Sequence, residues 1–190
     1  MKKILCVLLL LFTGCSSKTS MIEIQKRVYV EKECKDSWLE TNEFGDSYIK
    51  EELQGGYHYH FDQQFLEIFF NTGGKIELDN YSIKKNDLII SGEMIPPKTI
   101  RLVHPHLDNV TSEGVIIHEL GHYFDEKHQF SSSKQFTKLY KKYRTLFNQK
   151  TKKEYFAECF KEYVGGHQEK VKPFHSYMKT ITQKIRQKNK

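Results

Sequence analysis

The sequence is poor in cysteine, which can cross-link a chain, and in proline, which restricts its backbone. Among 190 residues there are only four cysteines and four prolines. Cys6 and Cys15 lie in the first segment of the chain, so Cys34 and Cys159 are left for the folded part. At most one disulfide can form between them, and the sequence alone does not decide whether they lie close enough. A scaffold held by several disulfides is therefore excluded.

Long hydrophobic runs are scarce as well. The longest covers residues 4–12, which is short of the roughly 20 apolar residues that a transmembrane helix needs. This argues against a permanent transmembrane anchor. The run follows the positive residues Lys2 and Lys3 and is followed by the small residues Thr13 and Gly14, which is the layout of a secretory signal. We therefore predict a signal peptide over residues 1–14.

The end of this segment, L-L-F-T-G-C, resembles a bacterial lipoprotein processing site. In such sites the cysteine is lipidated and becomes the new N-terminus, which makes Cys15 the expected lipidation site. Phe12 departs from the pattern, which usually has Leu, Val or Ile there. Residues 15–20 then form a linker to the lipid, and residues 21–190 form one domain. We expect a protein anchored to the cell membrane by lipid and facing outside the cytoplasm; the alternative is plain cleavage and secretion.

No strong excess of one charge is present. The 30 basic and 24 acidic residues give a net charge of +6, and loss of Lys2 and Lys3 with the signal would leave 6 − 2 = +4. The excess is mild and spread along the chain, whereas nucleic-acid-binding proteins concentrate basic residues on one surface. We predict no nucleic-acid partner.

Hydrophobic periodicity predicts a single domain of the α+β class. A buried helix is expected over residues 65–70, capped by Asp62 and ended by Gly73 and Gly74. Alternating polar and apolar residues predict strands at residues 75–78 and at Thr99–Val103. A helix is also expected over residues 21–29, with a loop near residues 42–46.

The most informative segment is H-E-L-G-H at residues 118–122, within a predicted helix capped by Thr111 or Ser112. Two histidines four residues apart lie on one face of a helix, one turn apart, so both imidazoles can bind one ion. Glu119 is rotated off that line, where it can reach a water on the metal and act as general base. The pattern predicts one zinc ion per chain, with His118 and His122 as ligands.

Two residues compete for the third ligand position. The first is His128, because H-E-x-x-H-x-x-D-x-x-H is close to the metzincin pattern, with Asp125 where that pattern has Gly. The second is Glu154, in T-K-K-E-Y-F-A-E-C-F. Thr151 and Glu154 also fit a capping box, in which Glu154 would only cap its own helix. Glu154 and Glu158 lie four residues apart, however, and two stacked acids repel unless a cation or a charged histidine lies against them.

H-E-L-G-H-Y-F-D together with E-Y-F-A-E-C-F resembles the catalytic domain of the anthrax lethal factor-like peptidases, a family that includes secreted Pro-Pro endopeptidases. The resemblance implies a zincin-like domain, with a small sheet against the H-E-x-x-H helix and a mostly helical C-terminal part. It also implies that His118, His122 and Glu154 bind zinc and that Glu119 is the base. Glu158 would support a ligand histidine, and Asp125 would support the site from outside the ligand set.

The sequence departs from this family at the residue that stabilises the oxyanion. The family has a Tyr seven residues before the ligand Glu, and that position here is Phe147, which has no hydroxyl. A shorter loop could let Tyr143 take the part, or Tyr143 could be a packed helix residue.

The sequence therefore predicts a zinc metalloendopeptidase that binds an extended peptide or protein substrate beside an edge strand, taken as Thr99–Val103. A second hypothesis is a catalytically weak or inactive lipoprotein of the same fold that acts as a binding module. Substrate preference and oligomeric state are not predicted.

Overall fold

The computed structural model describes residues 21–41, 45–80, 83–85, 88–104, 113–149 and 151–189. The predicted signal peptide, Cys15 and the linker lie outside these residues, as do Thr111 and Ser112. Within the described ranges, no helix combines the length and the apolar character that a membrane crossing requires.

The described part of the chain contains seven strands. They are β1 (Met21–Gln25), β2 (Val28–Glu31), β3 (Lys75–Asp79), β4 (Ile83–Lys85), β5 (Leu88–Ile90), β6 (Gly92–Ile95) and β7 (Thr99–Val103). Five of these form one sheet in the order β1-β2-β3-β7-β6, and β4 pairs only with β5. Strands β2, β3 and β7 are parallel, whereas β1 and β6 run antiparallel to their neighbours and form the two edges.

Two sequence predictions about strands are wrong. Residues 21–29 are not helical, because they form β1, a turn in which Arg27 has a φ of 61°, and the start of β2. Val28 and Val30 are fully buried while Tyr29 is not, which is the period-two alternation of a strand. Thr99–Val103 is a strand, as predicted, but it lies inside the sheet. The edge is β6, which covers it.

The two faces of the sheet differ in character. One face packs on the helices and presents the buried residues Val28, Val30, Ile76, Leu78, Ile100 and Leu102. The other carries charged side chains that pair with one another: Lys75 contacts Glu77 along β3 at 2.6 Å, and Arg101 of β7 contacts Glu93 of β6 at 3.3 Å. This arrangement makes a two-layer α+β domain.

The helices are α1 (Lys35–Leu39), α2 (Tyr48–Leu53), α3 (Gln64–Asn71), α4 (Val115–His128), α5 (Lys134–Tyr143), α6 (Lys152–Val164) and α7 (His175–Gln187). Short 3₁₀ segments lie at Lys32–Cys34, Phe130–Ser132 and Gln168–Phe174. The described chain after residue 113 contains no strand. The prediction of an α+β fold with a helical C-terminal part is confirmed.

Aromatic side chains join the helices into one core. Phe65 of α3, Phe124 of α4 and Phe160 of α6 pack on one another, with ring centroids 5.4–5.9 Å apart. Phe136 of α5 packs on Phe156 of α6 with centroids 5.4 Å apart, which attaches the C-terminal helices to the same core. Helix α6 is therefore fixed against α4 along most of its length.

The two cysteines of the folded part do not form a disulfide. Cys34 and Cys159 are both buried and both free. Burial raises the pKa of the Cys159 thiol well above its usual value, which keeps it protonated and unreactive.

Candidate metal centre

Helix α4 begins at a position that only glycine fits well. The residue before the helix is Gly114, with a φ of 72°, in the left-handed region. A Cβ atom at Gly114 would lie 2.9 Å from both Tyr59 Cζ and Lys161 Cδ. The Gly114 N–H donates to the carbonyl of Gly55 at 2.8 Å. The start of α4 is thus packed tightly on its neighbours, which fixes the position of the histidines one and two turns further on.

The close approach of α4 and α6 depends on Gly121, the glycine within the H-E-L-G-H motif. A Cβ atom there would lie 2.9 Å from Ala157 Cα and 3.2 Å from Phe160 Cβ. With no side chain at Gly121, the backbones of the two helices can pack against each other. This brings the acidic residues of α6 to the histidines of α4.

Three side chains from these helices converge on one point. Glu154 Oε2 of α6 lies 3.3 Å from His118 Nε2 and 3.2 Å from His122 Nε2. The potential ligand atoms of His118, His122 and Glu154 all lie within 4.8 Å of one another. The structure therefore groups the three residues that the sequence resemblance implied as ligands.

The spacing of these atoms fits a tetrahedral zinc site. Ligand atoms about 2.0–2.2 Å from a tetrahedral ion lie roughly 3.3–3.6 Å from one another. The observed 3.2 and 3.3 Å are close to that separation.

Hydrogen bonding supplies a second reason for a cation. His118 Nδ1 lies 3.2 Å from Glu158 Oε2, an acceptor, so Nδ1 carries the proton. A neutral His118 then presents the lone pair of Nε2 to Glu154 Oε2, which is also an acceptor. Two acceptors at 3.3 Å repel each other unless a metal lies between them or the ring gains a second proton.

The pKa values reflect this arrangement of charges. Burial would lower the pKa of His118, but hydrogen bonds with Glu154 and Glu158 raise it to about 9. The same hydrogen bonds from His118 and His122 hold the pKa of Glu154 well below its usual range. Without a metal, the site therefore binds a proton in its place.

Glu158 connects His118 to a lysine that also lines the site. Lys161 Nζ contacts Glu158 Oε1 at 2.7 Å, while Glu158 Oε2 faces His118. Burial would raise the pKa of Glu158, but the contacts with His118 and Lys161 lower it overall. The contact of 3.2 Å with His118 Nδ1 puts an ionised Glu158 where it can orient the His118 ring.

Glu119 lies beside the ligand group and is buried, with only 6% of its surface exposed. Burial raises the pKa of its carboxyl, and the nearby His118 and His122 oppose this effect. The backbone N–H of Met94, on the edge strand β6, lies close enough to the same carboxyl to lower its pKa, although by less than burial raises it. Glu119 is therefore a carboxyl held in place with a raised proton affinity, as a general base requires.

Only one of the two hydrogen bonds of the capping box predicted at Thr151 and Glu154 is present. Thr151 Oγ1 accepts from the Glu154 N–H at 3.2 Å, so Thr151 caps α6 as the sequence indicated. The Glu154 carboxylate points to the two histidines instead of back to the cap.

The metzincin alternative is wrong, because His128 lies outside the ligand group. Helix α4 continues without a break to His128, since Asp125 does not turn the chain as a glycine would. The His128 ring packs on Phe130, with centroids 5.1 Å apart. Its Nε2 is buried and has no hydrogen-bond partner within the described part of the chain.

Asp125 has a role that the sequence left undefined. Its carboxylate accepts from both the N–H and the Oγ of Ser131, each at 2.6 Å. These bonds hold the turn Phe130–Ser132 against the end of α4. Asp125 therefore supports the helix that carries the histidines, and it also borders the cleft above them.

The structure does not bring Tyr143 to the site. Its ring packs against Phe174, with centroids 6.1 Å apart, and its carbonyl accepts from the Tyr155 hydroxyl at 2.5 Å. Phe147 packs against Tyr155. The described residues of this loop that line the cleft are Asn148, Gln149 and Thr151.

The ligand group lies at the base of a cleft of about 980 Å³. One side of the cleft is formed by β6, including Gly92, Glu93 and Met94, and the opposite side by the start of α6. Neither β6 nor Lys161 was predicted from the sequence. The four residues Gly92–Ile95 are too few to show a strand period, whereas the spacing of three residues between Glu158 and Lys161 would have indicated Lys161.

No protein-family model matches this chain, and no curated protein matches its sequence. Among solved structures, the chain is similar to the PRO-PRO endopeptidase PPEP-2 from Paenibacillus alvei. The TM-score is 0.58 at 16% sequence identity, over 82% of this chain and 97% of that chain. At this identity the likeness establishes the fold alone. The chain therefore has a zincin-like α+β fold, with a His118, His122 and Glu154 group that could hold a metal.

Proposed function

We propose that the protein is a zinc-dependent endopeptidase of the lethal factor-like group that acts outside the cytoplasm. A lipid on Cys15 would tether it to the membrane after removal of residues 1–14. The observation that carries the proposal is the convergence of His118, His122 and Glu154 on one point beside the buried Glu119 carboxyl. The similar solved structure is that of an endopeptidase, which supports the same chemistry.

Each residue of the site has a definite part in such a reaction. His118, His122 and Glu154 would hold zinc, which when bound polarises a carbonyl and lowers the pKa of water toward about 7. Glu119 takes a proton from the attacking water and passes it to the leaving amine. Met94 holds the Glu119 carboxyl in position through its N–H. Glu158 keeps His118 in the tautomer that leaves Nε2 free to bind the metal.

An extended substrate would bind along β6, the edge strand on the cleft. In the register of β6 with β7, Glu93 pairs with Arg101, and the Ser91 carbonyl accepts from the Val103 N–H at 2.8 Å. Backbone groups alternate in direction along an antiparallel strand, so those of Gly92 and Met94 point away from β7. A peptide can add to the sheet on that side through the backbone groups of Gly92 and the Met94 carbonyl, because the Met94 N–H faces Glu119.

The test is cleavage of a peptide library by the zinc-loaded mature protein. Glu119→Gln should keep the zinc and lose at least a hundredfold in rate, because it removes the base and leaves the ligands intact. Glu67→Gln, an exposed carboxylate of α3, is the matched control and should cleave normally. Zinc content close to zero in the unmutated protein would refute the proposal.

A second candidate is a lipoprotein that binds peptides in this cleft without cleaving them. It is favoured by one observation: among the described residues that line the cleft there is no tyrosine to stabilise an oxyanion. Peptide binding without hydrolysis, unaffected by Glu119→Gln, would establish this function instead.

A further inference from the structure

A second, apolar cavity of about 290 Å³ adjoins the cleft. Pro96 and Glu126 line both spaces, so the cavity opens beside the cleft at the end of β6. Its size is at the lower limit of ligand pockets, which suits one large side chain better than a whole ligand.

The polar groups around this cavity are already engaged. The hydroxyls of Tyr123 and Thr72 bond to each other at 2.5 Å, and the Thr72 hydroxyl also contacts the carbonyl of Ile68 at 3.0 Å. Lys98 Nζ donates to the Thr72 carbonyl. Lys127 Nζ lies over the Tyr123 ring, 6.0 Å from its centroid. Glu126, which also lines the cavity, lies 3.7 Å from Lys153 Nζ. The surfaces left for a ligand are the prolines, the small exposed part of the Tyr123 ring and lysine methylenes, which favour apolar contact.

The walls are also rigid. Tyr123 is only 3% exposed, and its ring packs on Phe69 with centroids 4.9 Å apart. Pro96 and Pro97 form the opposite wall and have few backbone conformations. A side chain that enters the cavity therefore meets a surface that is already formed.

The position of the cavity along β6 indicates which substrate residue would reach it. The Met94 N–H contacts Glu119, so the bond to be cleaved would lie near Met94. Pro96 is two residues further on, about 7 Å along a strand. A peptide running antiparallel to β6 would have its residues beside Pro96 on the N-terminal side of the bond.

We propose that this cavity is a specificity subsite for a large apolar side chain, aromatic or leucine-sized, two or three residues to the N-terminal side of the cleaved bond. The proposal rests on the proposed endopeptidase function. In this proposal four residues select the substrate and take no part in the reaction: Pro96, Pro97, Thr72 and Tyr123.

The test compares the unmutated protein with Lys127→Trp, in which an indole covers the Tyr123 ring and fills the mouth of the cavity. Peptides with Phe or Leu at the selected position should be cleaved at least tenfold better than those with Ala. Lys127→Trp should reduce this ratio to about one, whereas Lys138→Trp should keep it. Lys138→Trp is the matched control, because Lys138 is exposed on α5 and lines neither cavity. Cleavage with no apolar preference at these positions would overturn the subsite and leave the endopeptidase function standing.

A readout without catalysis separates the two proposals. N-acetylphenylalanine amide at millimolar concentration should shift the backbone NMR signals of Thr72, Lys98 and Lys127 in the unmutated protein and in Lys138→Trp. The shifts should be lost in Lys127→Trp, and N-acetylalanine amide should produce none. If the phenylalanine and alanine amides give equal shifts, or neither gives any, the cavity does not bind apolar side chains.

Discussion

Gly121→Ala tests whether the metal centre depends on the close packing of α4 and α6. The new methyl group would lie 2.9 Å from Ala157 Cα and 3.2 Å from Phe160 Cβ, whereas nonbonded carbons prefer about 3.5–4.0 Å. Helix α6 must therefore move away by several tenths of an ångström. Both Glu154 and Glu158 lie on α6 and would move with it.

The expected magnitude combines two opposing effects on stability. Overpacking of a core typically costs about 1–3 kcal/mol, and alanine gains about 1 kcal/mol over glycine inside a helix. We expect the metal-free protein to lose up to about 2 kcal/mol of unfolding free energy. Zinc affinity should fall more clearly, by about tenfold or more, because metal sites tolerate ligand displacements of only about 0.2 Å.

Both quantities can be measured on the same sample. Urea unfolding can be followed through the fluorescence of Trp38, the only tryptophan of the chain, which is fully buried. Zinc affinity can be measured by competition with a chromogenic chelator. Ala157→Gly added to Gly121→Ala should recover part of the affinity, since it removes Ala157 Cβ, which would lie 3.3 Å from the new methyl group. Unchanged zinc affinity, with a stability gain of about 1 kcal/mol from helix propensity alone, would refute this account of the helix contact.

Three further predictions address the ligands, the proton and the lipid. Glu154→Ala should abolish stoichiometric zinc binding in metal analysis, whereas His128→Ala should retain one zinc per chain; the opposite pattern would restore the metzincin reading. Because the pKa of His118 is raised to about 9, a proton competes with zinc below that pH. Apparent zinc affinity should therefore rise roughly tenfold per pH unit from 7 to about 9 in chelator competition, and a flat profile would contradict this. Cys15→Ala should move the protein from the detergent phase to the aqueous phase on partitioning, and unchanged partitioning would mean that Cys15 carries no lipid.

The predictions that succeeded concern geometry within one helix. The spacing of His118 and His122 is fixed by the helical repeat, and so is that of Glu154 and Glu158, so each pair could be placed on one face from sequence alone. The local cap at Thr151 was predictable for the same reason, because it involves residues only three apart. Bringing the two helices together was an inference from family resemblance, and the Gly121 contact that allows it is visible only in the structure.

The predictions that failed concern relations between distant segments. Thr99–Val103 was correctly read as a strand, but strand order decides which strand is the edge, and no local pattern encodes that order. The short β6 has too few residues to show a period. Tyr143 was a candidate because of its distance along the chain from Glu154, yet packing against Phe174 directs its ring into the core. Residues 21–29 do not form the predicted helix because Val28 and Val30, spaced two apart, are buried in the sheet, and this packing overrides local helix propensity.

Helix α6 carries three glutamates on one face, at positions 154, 158 and 162, and their partners explain why the helix tolerates them. Carboxylates four residues apart repel on an isolated helix. Glu162, only 4% exposed, contacts the Tyr59 hydroxyl at 3.1 Å, His167 Nδ1 at 3.0 Å and Lys170 Nζ at 3.0 Å. Glu158 has Lys161 and His118.

Glu154 differs from the other two, because the charged partners within the described residues are only the two histidines. The three acids differ in whether their partners carry a permanent positive charge. Lys161 and Lys170 are cations at neutral pH. His118 and His122 balance the charge of Glu154 only when they are protonated or bind a metal. The chain thus neutralises two of its three stacked acids with its own cations. It leaves the third, at the base of the cleft, to be balanced by an ion from solution.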